Sequence, residues 1–177
     1  MNLELHKEFY FFEWQRRDQL QQATGLPVAI LTVLIGGLFL LVQGFNFDGT
    51  HVVQAFVVLV ICSVVAVIWS SVFLAMSLQS FWYAQVPRPE RLQAYWDELS
   101  EYHSSVGNPD SEVTSEFDET LKRRLAEATS KNRTNNIKVA EHLHKSLSGI
   151  VVALFFVALS TVPYLWQLIV SPTNGGL

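Results

Sequence analysis

No Asp, Glu, Lys, Arg or His occurs in three long stretches of this chain, residues 26–42, 52–78 and 150–170. A soluble domain mixes charges into every surface element, so apolar residues gathered into such blocks exclude a single soluble domain and indicate an integral membrane protein. Each block can cross a hydrocarbon core about 30 Å thick, which takes about 20 helical residues. The lack of ionisable groups inside the spans also bears on function. A carrier coupled to protons or ions keeps such groups at depth despite their cost in lipid, and intramembrane proteolysis needs paired aspartates or a Ser with a His there. Neither pattern is present.

Other absences narrow the chemistry further. Cys62 is the single cysteine and lies in the second span, where it has no disulfide partner within the chain and no companion ligand, so it is read as a small packing residue. Glycine pairs occur only at Gly36–Gly37, inside a span, and at Gly175–Gly176, so no loop can cradle a phosphate. His142 and His144 are two residues apart and fall on different helix faces, as do Glu101 and His103, so no metal site is expected. The expectation is a protein that is not an enzyme and carries no cofactor.

Lys and Arg are missing from residues 43–51 and 171–177. Of the 12 in the chain, Lys7, Arg16 and Arg17 precede the first span, and all the others, from Arg88 to Lys145, lie between the second and third. By the positive-inside rule the N-terminus and the long connection are cytoplasmic, and the short connection and C-terminal tail are external. The first apolar block follows an acidic, aromatic segment and is not followed by a small-residue cleavage site, which marks it as a retained span and not a secretory signal.

The sequence therefore predicts an all-α membrane protein with three transmembrane helices. An N-terminal amphipathic cytoplasmic helix covers 1–23. A transmembrane helical hairpin covers 24–80, with spans at 24–45 and 52–80. A cytoplasmic helical region with a helical hairpin covers 81–147, the third span 148–170, and an external tail 171–177.

The N-terminal helix carries a dense aromatic run, and Leu5, Phe9 and Phe12 share a face. Phe9, Phe12, Trp14, Arg16 and Arg17, with Trp82 at the border of the second span, suit an interfacial anchor in the lipid headgroups. Packing on a neighbouring subunit is the other reading. Gly25 and Pro27 punctuate the start of the first span, where Pro is tolerated. Gly36 and Gly37 lower helix propensity mid-span but let another helix backbone approach closely. In the second span Ser63, Ala66, Ser70 and Ser77 form a small, mildly polar stripe, suited to helix packing or to the wall of a pore. In the third, Ser160 and Thr161 before Pro163 invite a bend that could serve gating.

Between the spans, Leu92, Tyr95, Trp96, Leu99 and Tyr102 make an apolar stripe at helical spacing that needs something to bury against. Leu92, Trp96 and Leu99 are the candidate docking face for a soluble sensor or enzyme. Gly107, Asn108 and Pro109 supply turn chemistry. Ser115 with Asp118 three residues later suits a helix start. With no Gly or Pro from 110 to 148, that helix is expected to run on into the third span. Spacings of four and three then pick out Leu121, Leu125, Ala128, Asn132, Asn135, Val139, His142, Ser146, Gly149 and Ala153. This heptad-like seam starts apolar, turns polar at Asn132 and Asn135, and becomes small in the membrane. The two asparagines are candidates for fixing the register of a homo-oligomer, or for bonding to the helix at 90–102. Lys122, Arg123, Arg124, Lys131, Arg133 and Lys138 lie among acids such as Glu116, Glu119 and Glu127. The mixed field suits a solvated face or anionic lipid, and a nucleotide, nucleic-acid or other phosphate-bearing signal stays open.

Glu13, Arg16 and Arg17 leading into Gly25-Leu26-Pro27-Val28-Ala29-Ile30-Leu31-Thr32 resemble the start of SLATT-type membrane proteins of bacterial conflict systems. The cytoplasmic helix rich in Ala, Asn and Lys that runs into a third span is similar to small membrane effectors of cyclic-nucleotide antiphage systems such as Pycsar. The resemblance, over about half the chain, implies an effector that self-assembles and permeabilises the inner membrane when a sensor detects phage. The chain departs from the two-span SLATT pattern in its third span and has no attached nucleotide-binding domain. It also lacks the Arg-then-His spacing of a degenerate RNase motif. A non-enzymatic anchor or regulatory subunit that recruits a soluble partner is the alternative.

Overall fold

The computed structural model describes residues 2–47, 51–79, 82–107 and 110–170. Of the expected features, Asp48 and Gly49 of the short external turn, Asn108 and Pro109, and the tail 171–177 lie outside the described residues. Among the described residues every regular element is a helix: α1 (Leu3–Ala23), α2 (Gly25–Gly44), α3 (His51–Leu78), α4 (Pro89–Val106) and α5 (Asp110–Val170). Three helical stretches, within Leu3–Gly44, His51–Leu78 and Ser111–Ile169, are long and apolar enough to cross a membrane. Only 22–28% of their most apolar windows is buried by the chain itself. Apolar surface on this scale is incompatible with water and marks a membrane protein.

Helix α5 is 61 residues long and, as the lack of Gly and Pro predicts, continues through residues 110–148. It begins at Asp110, so that Ser115, whose chemistry suits a cap, lies inside the helix. At the other end it carries through Pro163 to Val170, with the Ser160 and Thr161 hydroxyls donating to the carbonyls of Val157 (2.7 Å) and Ala158 (2.6 Å). These hydroxyls are satisfied within the helix just before Pro163, whose missing N–H would have served the Leu159 carbonyl.

The chain divides into two compact units. One comprises residues 21–47, 51–79 and 139–170 of the described chain: α2, α3 and the second part of α5. Leu31, Leu34 and Leu38, at spacings of three and four on α2, meet Ala66, Val67 and Leu74 of α3 and Leu143, Ile150 and Ala153 of α5. Lipid is as apolar as leucine, so helices in a membrane hold together through close packing and hydrogen bonds, which small residues permit. Ser63, Ser70 and Ser146 are all fully buried. The Ser70 hydroxyl donates to the Ser146 carbonyl at 2.7 Å and lies 3.0 Å from the Ser146 hydroxyl. A Cβ placed on Gly149 would fall 2.9 Å from Ser70 Cβ and 3.2 Å from Ser70 Cα, so α3 and α5 approach here to a distance that only glycine allows.

Aromatic rings close the other end of this unit. Phe45 stacks on the buried Phe56 with ring centroids 3.8 Å apart, and Phe47 meets both edge-on. The Asn46 N–H donates to Gln167 Oε1 at 3.1 Å, while Gln167 Nε2 donates back to the Asn46 carbonyl.

The other unit comprises residues 2–20, 82–107 and 110–138. Tyr10 of α1 packs with Leu125 and Ala128 of α5, flanked by Trp14, Ala84 and Val86. Helix α4 starts at Pro89, where a missing N–H costs nothing, and ends on Gly107, which adopts the left-handed φ of 77° that side chains avoid. Most of its apolar stripe faces α5, where Tyr95 stacks on Phe117 at 6.0 Å and Trp96 meets the same ring edge-on at 5.2 Å, while Tyr102 is exposed.

The tight crossing at Gly149 generates a contrast. Gly149→Ala should lower stability by about 1–3 kcal/mol, because the Ser70 backbone has to move. Gly36→Ala, with open space around its Cβ, should be neutral within about 0.5 kcal/mol. Unfolding of both variants in the same micelles checks this; equal effects would contradict the close approach.

Candidate functional site

Three asparagines on one face of α5, at 132, 135 and 136, form the densest polar cluster of their unit. Their i, i+3, i+4 spacing aligns them, and what they meet is the extended connector after α3 and the side of α1. Asn132, fully buried, accepts the Ala84 N–H on Oδ1 at 2.8 Å and donates from Nδ2 to the Ala84 carbonyl at 3.1 Å. A side-chain amide thus pairs with a backbone amide as one strand residue pairs with another. Asn135 donates to the Trp82 carbonyl at 3.1 Å. Asn136, also fully buried, accepts the Tyr83 hydroxyl at 2.8 Å and donates to both the backbone carbonyl and the carboxylate of Glu13, each at 2.8 Å. The Val86 N–H completes the set with a longer bond to the Tyr10 hydroxyl, 3.4 Å.

Residues 82–88 of the connector have no helix or sheet of their own, so their backbone groups need partners from elsewhere. The asparagines supply them. Arg17 adds charge to the same cluster, its guanidinium 4.7 Å from the centre of the Trp14 ring and 4.8 Å from that of Tyr83. Its Nε is buried without a hydrogen-bond partner, so the aromatic faces are its main compensation.

A second polar group links α4 to α5. His103, whose side chain is 8% exposed, places Nε2 3.0 Å from Glu116 and Nδ1 3.9 Å from Glu112. Among the described residues no three His, Cys, Asp or Glu side chains converge as a metal site. On the exposed surface of α5, a hydrogen bond and the charge of Lys145 hold the Glu141 carboxyl below its usual range.

The sequence-predicted residues fall into distinct places. Asn132 and Asn135 are turned into their own unit, bonded to the connector and not to the helix at 90–102. Ser63 and Ser70 lie inside helix contacts, with the Ser63 hydroxyl bonded to the Leu59 carbonyl. Pro163 is half-buried within α5. Leu92 and Trp96 are half-buried and Leu99 is buried, on a stripe whose aromatic rings meet Phe117 within the same chain. Trp14 and Arg17 join the asparagine cluster, and Arg16 is half-buried. Phe9, Phe12 and Trp82 point outward, Trp82 at 88% exposure.

Asn136 was not singled out by sequence reasoning, and Glu13 and Tyr83 were read only as part of a family resemblance and as the border of the second span. Asn136 did leave a trace: three asparagines within five residues are poor helix formers in an otherwise strong helix, and such a cost implies a use.

Compared with protein-family models, curated proteins and solved structures, the chain has no match.

Burial pushes the Tyr83 phenol above its ordinary value; Arg17 pulls it down and Glu13 pushes it up, both less strongly. A folded pKa above the unfolded one means that the contribution of Tyr83 is complete below about pH 10 and is lost as pH rises through the folded value. Ionisation also removes the proton donated to Asn136. Alkaline titration followed by tyrosinate absorbance should show a late-titrating component that Tyr83→Phe removes. A Tyr83 that titrates at or below pH 10 would contradict the buried placement.

Proposed function

We propose that this protein is an effector of the bacterial inner membrane that works as a homo-oligomer, forming or gating a permeability path between copies. Its N-terminus and long connection are cytoplasmic and its C-terminus is external, which the one-sided distribution of its 12 Lys and Arg residues supports. In this reading α1 is the amphipathic helix that borders the headgroups, and α4 with the first part of α5 is a helical hairpin that acts as the control region. The placement in antiphage defence is carried by the sequence resemblance.

One observation carries the oligomeric reading. Within one copy, the serines at the helix crossings, Ser63, Ser70 and Ser146, are fully buried and consumed by helix contacts. A single copy therefore offers no polar path, and any path has to be built between copies. Gly36 and Gly37 of α2 have nothing within 4 Å of a built Cβ, so the close approach they permit is unused within the chain and is available to a second copy.

A membrane anchor that recruits a soluble partner is the second reading. With the Leu92, Trp96 and Leu99 stripe turned toward Phe117, such a partner would use the outward rings of α1, where Phe9, Phe11 and Phe12 are 48%, 62% and 58% exposed.

Crosslinking in native membranes combined with dye uptake separates the two. The effector reading predicts a defined multimer with dye uptake on expression, and at least a tenfold loss of both when Gly36 and Gly37 are replaced by leucine. Exclusively monomeric particles, or a multimer that never admits dye, would contradict it.

A further inference from the structure

Within the unit formed by α1, α4 and the first part of α5, a cavity of about 350 Å³ opens between α4 and α5. Arg91 of α4 and Arg123 and Arg124 of α5 line it, together with Tyr95, Phe117 and Thr120. No carboxylate is among the lining residues. Glu116 and Glu119 of the same stretch of α5 line an adjoining groove with Lys122 and His6, and Thr120 and Arg123 border both. Among the described residues, the ion pairs are Lys7 with Glu4, Lys145 with Glu141, and His103 with Glu112 and Glu116. None involves Arg91, Arg123 or Arg124. The sequence offers Glu119 one turn before Arg123, an arrangement that normally pairs on a helix, and the pair is not made.

Arg91, Arg123 and Arg124 are exposed, so their guanidinium N–H groups are solvated and open to an arriving anion. Guanidinium groups bind phosphate oxygens through paired N–H donors, which makes Arg the side chain suited to phosphate recognition. The opposite character of the remaining wall narrows the ligand. Tyr95 and Phe117 are stacked with ring centroids 6.0 Å apart, and the Thr120 hydroxyl lies 3.3 Å from that of Tyr95. A cavity of this size with a cationic rim, an aromatic wall and a few hydroxyls has the features of a small-molecule site.

We propose that the cavity between α4 and α5 binds a phosphate group on a small organic carrier, with Arg91, Arg123 and Arg124 holding the phosphate and the Tyr95 and Phe117 rings facing the carrier. Two sources present that chemistry, a soluble nucleotide and the headgroup of an acidic phospholipid. The site is independent of the assembly reading, because its occupancy is measured by binding alone.

The test uses the full chain in nanodiscs of phosphatidylcholine, with AMP as the soluble probe followed by calorimetry. A parallel set of nanodiscs contains phosphatidylglycerol, with bound lipid counted by native mass spectrometry. Expected is saturable binding of one probe, weakened about tenfold or more by Arg123→Gln or Arg124→Gln and unchanged by Arg133→Gln, a charge loss on the same helix outside the cavity. Thermal unfolding of each variant establishes that the exposed arginines are not needed for folding. AMP binding with this pattern assigns the site to a nucleotide, and retention of phosphatidylglycerol with this pattern assigns it to a lipid headgroup. Absence of both, or equal weakening by Arg133→Gln, would overturn the proposal.

Discussion

One face of α5 is filled by its own chain, and the rest of the structure follows from how each stretch of that face is satisfied. In one unit the face presents Leu125, Ala128, Asn132 and Asn135, and the chain covers it with Tyr10 and the connector around Ala84. In the other it presents Ser146, Gly149 and Ala153, and the chain covers it with α3 around Ser70. The chemistry changes because the surroundings do. In the first unit, residues 82–88 have no secondary structure and leave backbone groups that need partners, and side-chain amides supply a donor and an acceptor at once. In the second, close backbone approach and a hydroxyl bonded to a carbonyl take over.

Burying three asparagines is costly unless they find partners, and here each of them does. Asn132 makes both of its amide bonds to a single residue, and Asn136 joins three different groups. A partly satisfied set would be worse than an apolar one, so such a network works only in one register. The connector is thereby held to a defined position along α5. What the arrangement excludes is equally useful: side chains spent in this way inside one copy are not free to set the register of an oligomer. Association between copies then falls to surfaces with unused capacity, such as that around Gly36 and Gly37.

The sequence made the spans and the α5 seam legible because both depend on local pattern. Blocks without charge give the spans, and spacings of three and four give the seam: of its ten members, Leu121 and His142 are half-buried and the others are buried. What covers a face is set by distant parts of the chain, and spacing carries no information about it. Asn132 and Asn135 suited an oligomer or the helix at 90–102 equally well, and their partners are Ala84 and Trp82. In the same way, the stripe of Leu92, Trp96 and Leu99 was visible as a face in need of cover, and Phe117 beside it was not. On α1, Leu5, Phe9 and Phe12 share a face as the spacing requires, yet the inward residues are Tyr10 and Glu13. A hydroxyl and a carboxylate outcompete larger apolar rings there because they complete hydrogen bonds with Val86 and Asn136.

The most direct measurement is hydrogen exchange at the Ala84 amide in the membrane-reconstituted protein. Ala84 lies outside any helix, and its N–H is bonded to Asn132 Oδ1. If the asparagine face of α5 holds the connector, that amide exchanges orders of magnitude more slowly than an unstructured one and loses its protection in Asn132→Leu while the α5 amides keep theirs. Exchange at the unstructured rate in the unaltered protein would contradict the account.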